Sequence, residues 1–267
     1  MSALPKTSID NVIDFNGFSG RIIRGGLSKK EIKLNKDGSV NKVRPNKVAG
    51  VSSEVYPFIS QEEIRTVINV LDNRINEAPD KNKRQIACRN KMLFLIGINL
   101  SLRISDLITL RWNFFLKDDL TFRDYYKIQP KKTKKTGKFV TLYFNEVVKK
   151  AVIEYTEQYP IEHMDDFVFK SRKGNNAISE RSVWQIIVDT SAEAGIERNV
   201  GTHSLRKTFG YHVWHNAEDK EKALVMLMTI FNHSSVVMTK KYIGIMNEEI
   251  EDVFNSLNLG LDYLTED

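Results

Sequence analysis

The chain has 267 residues, of which 41% are hydrophobic and 28% charged. That composition describes a globular protein long enough for one large or two modest domains. No apolar run approaches the ~20 residues of a membrane span, and the opening MSALPKTSID lacks the charged-then-apolar pattern of a signal peptide. A single cysteine, Cys88, excludes an intramolecular disulfide and a cysteine metal cluster. The expectation is a cytoplasmic protein without membrane contact. Its formal net charge of +6 is unevenly spread, since residues 1–50 hold ten lysines and arginines against four acids and the remainder is balanced.

That basic region is rich in Gly and Asn and poor in periodic apolar residues. It reads as a flexible or weakly folded arm over residues 1–54, with Arg21, Arg24, Lys29 and Lys30 as candidate contacts to a phosphate backbone. Ser60-Gln61-Glu62-Glu63 is a capping box ahead of Ile64, Val67, Ile68 and Leu71, and predicts a helix. Residues 73–88, polar and interrupted by Pro79, predict a connector. Met92 to Ile98 is apolar nearly all round and predicts a buried helix.

From Asp124 the period changes. Segments 125–129, 139–144 and 167–169 are rich in aromatic and β-branched residues and predict three short strands. The loop between the first two carries Lys131, Lys132, Lys134, Lys135 and Lys138. Apolar spacing predicts helices over 145–159, over 179–194 before Gly195, and over 219–231. A last amphipathic helix is expected in 247–261, with Ile250, Val253, Phe254 and Leu257 on one face. The whole reads as a mainly α chain with a small three-stranded antiparallel sheet.

The stretch from Thr202 to Gly244 gathers the chemistry. His203 and Arg206 lie three apart and share one face of a helix. His233 stands in Asn-His-Ser-Ser, a helix start with Ser234 or Ser235 as N-cap, and Tyr242 follows nine residues later. A guanidinium fork matches two phosphate oxygens, imidazoles donate hydrogen bonds or move protons, and a phenol oxygen can attack phosphorus. Taken singly, each residue also fits a plain structural part.

Together these residues resemble the active-site half of the tyrosine recombinases, the phage-integrase family of DNA strand-exchange enzymes. Ser101-Leu102-Arg103-Ile104-Ser105-Asp106-Leu107 is similar to the family's Gly-Leu-Arg-Ile-Ser-Glu-Leu, with Ser for Gly and Asp for Glu. Asp106 is expected to orient Arg103 from the same face. The family places a catalytic lysine on a β-hairpin, and Lys135 is the best match to it, with Lys132 the runner-up. Lys131, Lys134 and Lys138 of the same loop are expected to contact DNA.

The resemblance implies a catalytic domain over 55–258, a tail over 259–267, and catalysis by Arg103, Lys135, His203, Arg206, His233 and Tyr242. It implies cleavage of double-stranded DNA through a 3′-phosphotyrosine without metal or other cofactor, by a homo-oligomer of up to four subunits assembled on DNA. The chain departs from the family in its N-terminal region, since most members carry a helical core-binding domain of about twice that length. Two alternatives stay open at this level: a DNA-binding transcriptional regulator that keeps the fold without strand exchange, and a type IB topoisomerase-like relaxing enzyme.

Overall fold

Side-chain caps decide where the helices begin. The computed structural model describes residues 54–131, 137, 139–172 and 174–257. Ser60 accepts a hydrogen bond from the Glu63 N–H at 3.1 Å and opens α1 (Gln61–Asn76). Asp80 does the same for Lys83 at 2.8 Å and opens α2 (Lys81–Asn99). The connector expected over 73–88 therefore shrinks to residues 77–80. Pro79 ends one helix, but Asp80 caps the next at once, and the polar residues that suggested a loop fill the exposed faces of both helices.

After α2 come two single turns, α3 (Ile104–Leu107) and α4 (Trp112–Phe115), then β1 (Tyr125–Ile128) and β2 (Val140–Tyr143). The strands pair antiparallel with Tyr125 opposite Tyr143 and Ile128 opposite Val140. Ile128 and Leu142 enter the core, while Tyr125 and Tyr143 face outward.

Among the described residues the sheet has these two strands and not three. Of Phe167–Phe169, expected as the third, Val168 and Phe169 are buried, and the backbone of the segment is shared between two loops. The Val168 N–H donates to Leu110 O at 3.0 Å, and Phe169 O accepts from the Ile178 N–H at 2.7 Å. Isolated bridges through the core thus take the place of an edge pairing with β1 or β2.

The remaining helices are α5 (Glu146–Gln158), α6 (Glu180–Glu193), α7 (Thr202–Asn216), α8 (Lys220–Phe231), α9 (Val236–Ile243) and α10 (Ile245–Ser256). The main core gathers Phe58, Leu93, Phe94, Ile96, Phe115, Val148, Phe169 and Val183 around α2, which packs against α1, α5 and α7. Gly97 permits the α7 approach, because a Cβ there would fall 2.6 Å from Leu205 Cδ1. A second, smaller cluster joins Tyr211, Leu224, Leu227, Phe231, Ile243 and Ile245. Helix α7 spans both, placing Leu205 in the first and Tyr211 in the second.

Helix α10 begins two residues earlier than expected, directly after Gly244, whose φ of +91° ends α9 and starts the next helix. Ile245 is buried, and Glu249 pairs with Lys240 at 2.7 Å. Beyond that first contact Ile250, Val253, Phe254 and Leu257 stand exposed, Phe254 by 74%. No described helix is long and apolar enough to cross a membrane.

Candidate active site

The site lies at the seam between the two apolar clusters. Ser101 turns the chain out of α2 with a φ of +55°, and Arg103 follows as the residue preceding α3. Arg103 and Arg206 line one cavity of about 300 Å³, together with Pro130, Phe139, Val140 and Asn232. Arg206 comes from α7, and Gly201 at the start of that helix donates its N–H to Ser204 Oγ at 3.0 Å. Ser235, the second of the two candidate caps, accepts from the Met238 N–H at 3.1 Å and opens α9, which carries Tyr242.

Arg206 is 5% exposed. It donates to the Phe231 carbonyl at 3.1 Å, and its guanidinium sits 4.6 Å from the Phe231 ring centroid. Burial lowers its pKa to about 10, with Arg103 acting in the same direction and Tyr242 and Asp106 opposing. Among the described residues neither Arg103 nor Arg206 forms an ion pair with a carboxylate. Two arginines facing one cleft, with the Asp106 carboxylate in the same lining but ion-paired to neither, keep a net positive charge there and form a receptor for an anion.

His203 Nδ1 lies 3.5 Å from Tyr242 Oη, at the outer limit of a hydrogen bond. The Tyr242 ring meets Phe231 and His233 edge to face, at 5.3 and 5.1 Å between centroids. Burial raises the Tyr242 phenol pKa, while Arg206 and Arg103 pull against it. His233 Nδ1 is 3.1 Å from Thr239 Oγ1. Burial, reinforced by Arg206 and Arg103, lowers the His233 pKa to about 4. His233 is therefore neutral at pH 7, one ring nitrogen carrying the hydrogen and the other a lone pair.

The structure thus brings Arg103, His203, Arg206, His233 and Tyr242 to one place. Asp106 takes a different partner from the one expected. Its Oδ1 accepts the backbone N–H of Lys131 at 2.9 Å and anchors the start of the lysine loop, and no ion pair joins it to Arg103. Lys131 itself is exposed. Lys132, Lys134, Lys135, Lys138, Arg21, Arg24, Lys29 and Lys30 lie outside the described residues. Sequence reasoning passed over Phe231 and Thr239, which pack or bond three of the five site residues. Phe231 looked like an ordinary apolar position of α8, and the signal that sets Thr239 apart is its place three residues before Tyr242.

Comparison with known proteins shows the family and the fold. Residues 58–249 match the phage integrase family. The probable integrase/recombinase YoeC of Bacillus subtilis is 36% identical over 191 residues, covering 72% of this chain and 90% of that protein. The tyrosine recombinase XerD of Oceanobacillus iheyensis is 21% identical over 207 residues, which is 74% of this chain but 61% of that longer protein. In fold, the chain resembles the crystal structure of XerA recombinase with a TM-score of 0.54 at 17% identity, over 78% of this chain and 66% of that one. A post-cleavage complex of XerH gives 0.53 at 16% identity, over 82% and 58%. The match extends across both apolar clusters and every element that delivers a side chain to the cleft, and this chain belongs to the phage integrase family of tyrosine recombinases.

Proposed function

We propose that the chain is a site-specific recombinase that cuts and rejoins double-stranded DNA through Tyr242. The phenol oxygen attacks a backbone phosphorus, forming a 3′-phosphotyrosine ester and breaking the bond to the 5′ oxygen. The phenol proton passes to His203, which lies 3.5 Å from it. Negative charge develops on the non-bridging oxygens, where Arg103 and Arg206 converge and where His233 offers an Nε2–H in the tautomer whose Nδ1 accepts from the Thr239 hydroxyl. The leaving 5′ oxygen takes a proton from Lys135, with Lys132 the alternative donor. A 5′ hydroxyl of another strand then attacks the ester, releases Tyr242 and reseals the backbone. The ester retains the energy of the broken bond, so the cycle needs no nucleotide.

One observation carries this reading: a tyrosine hydroxyl and an imidazole in reach of each other beside two arginines that form no ion pair with a carboxylate among the described residues. XerH, which shares the fold, is described bound to its difH substrate before and after cleavage. The basic arm supports further contact with the phosphate backbone. The exposed stripe of α10 supports a monomer or weak oligomer that assembles on DNA, up to a tetramer on two sites.

The test uses DNA recovered covalently from cells, rebuilt as a nicked duplex whose cleaved end diffuses away. Wild type accumulates a covalent protein–DNA product, and Tyr242→Phe binds the duplex without trapping it. A covalent product from the Phe variant removes Tyr242 from its role. Absence of product from wild type favours a regulator. Replacing the leaving oxygen by sulfur, which departs without a proton, rescues Lys135→Ala; rescue of Lys132→Ala instead moves the acid to that residue.

A further inference from the structure

Residues 54–58 lie as a strap against α7, the helix that delivers His203 and Arg206. The Tyr56 N–H donates to Asn199 O at 2.9 Å, and Asn199 Nδ2 donates to Glu54 O at 2.6 Å. The Phe58 N–H donates to Thr208 Oγ1 at 2.9 Å, and His212 Nε2 donates to Phe58 O at the same distance. Beneath this seam runs Lys207, one residue past Arg206 and about 100° further round the helix. Its side chain is 7% exposed, its Nζ lies 2.9 Å from Glu54 Oε1, and the same Nζ is 5.6 Å from the centroid of the Tyr242 ring. An ammonium is buried at such cost that its pairing must be specific, and one within about 6 Å of an aromatic ring is attracted to it.

We propose that Lys207 is a positioning residue for Tyr242 and that Glu54 governs its electrostatic effect on the phenol. Paired with Glu54, the ammonium braces the ring while adding little net charge beside it. Drawn off its partner, it becomes an uncompensated cation 5.6 Å from the ring centroid, where it favours the phenolate, the attacking form. The inference rests on Tyr242 being the nucleophile. Four other groups face the phenol: Arg103 and Arg206 by charge, His203 at 3.5 Å and His233 ring to ring. Charge variants at 54 and 207 leave all four in place.

The test needs no DNA. The full chain is prepared with 3-fluorotyrosine, which titrates low enough to keep the protein folded, and followed by fluorine NMR with Tyr242→Phe assigning the signal. Glu54→Gln is expected to lower the Tyr242 titration by about half a pH unit or more, and Lys207→Met to raise it. The double variant should follow Lys207→Met, and Lys207→Arg should restore wild-type behaviour. A Tyr242 titration unmoved by Glu54→Gln and by Lys207→Met, with thermal unfolding intact, overturns the proposal. Should Lys207→Met fail to fold, Glu54→Gln decides alone, since it keeps the lysine. The nucleophile assignment is judged separately, by whether Tyr242→Phe still traps DNA, so either can fail without the other.

Discussion

The guanidinium of Arg206 is held by Phe231 twice over, through the ring beneath it at 4.6 Å and through the backbone carbonyl that accepts its N–H at 3.1 Å. Neither contact neutralises the charge. The fork is fixed in direction while its attraction for an anion is kept, and that combination favours a transition state over a solvated ground state.

Arg206→Lys should therefore cost far more than its retained charge suggests. A lysine point charge cannot donate to Phe231 O and grip a phosphate in the same geometry. Single-turnover formation of the covalent complex should slow by about 10²- to 10³-fold with binding of the duplex nearly unchanged. Rates within a few-fold of wild type would show that the fork geometry is not used.

His233 makes stability pH-dependent. Its folded pKa of about 4 lies below the 6.5 of an unperturbed histidine, so between those values the unfolded chain binds more protons than the folded one. The stability contributed by keeping it neutral is complete above pH 6.5 and is lost as pH falls towards 4. Denaturant unfolding of wild type and His233→Gln at pH 7 and pH 4.5 should show a smaller acid loss in the variant. Equal losses would place the acid sensitivity elsewhere.

Ser101 occupies a left-handed backbone position, φ +55°, at the turn that aims Arg103, and it is buried. An L-residue is disfavoured there by roughly 1–2 kcal/mol, a cost that glycine avoids. Ser101→Gly should raise stability by on the order of 0.5–1 kcal/mol, the gain reduced by the looser unfolded chain. Thermal unfolding reads it, and a lower melting temperature would mean that the serine side chain contributes more than its backbone costs.

Removal of the residues after Glu249 takes away the exposed stripe of α10 but keeps Ile245 in its apolar cluster and the Lys240–Glu249 pair. Three exposed apolar side chains on a twelve-residue helix, with Leu257 just past its end, are poorly placed in water unless a partner covers them. The truncated chain should bind a single DNA site nearly as well as wild type but lose cooperative assembly on paired sites. Gel-shift titration of one-site and two-site duplexes separates the two effects. Unimpaired assembly would make the stripe irrelevant to oligomer formation.

Much of this protein is written locally in its sequence. The cap at Ser60, the helix start at Ser234 or Ser235 and the apolar period of the helices act within one or two turns, and position along the chain suffices to read them, while the structure picks Ser235 of the pair. The spacing of His203 and Arg206 is legible for the same reason, since three residues on a helix define a shared face. What only the tertiary structure decided are the partners chosen across long separations. Asp106 bonds the Lys131 backbone 25 residues away and forms no pair with its neighbour Arg103. Val168 and Phe169 are drawn into the core and bridge two loops, although the composition of 167–169 is that of a strand. Lys207 meets Glu54 across 153 residues because α7 must bury that face against whatever the strap presents. No periodicity in the chain encodes such a meeting, because it depends on the angle at which separate elements pack.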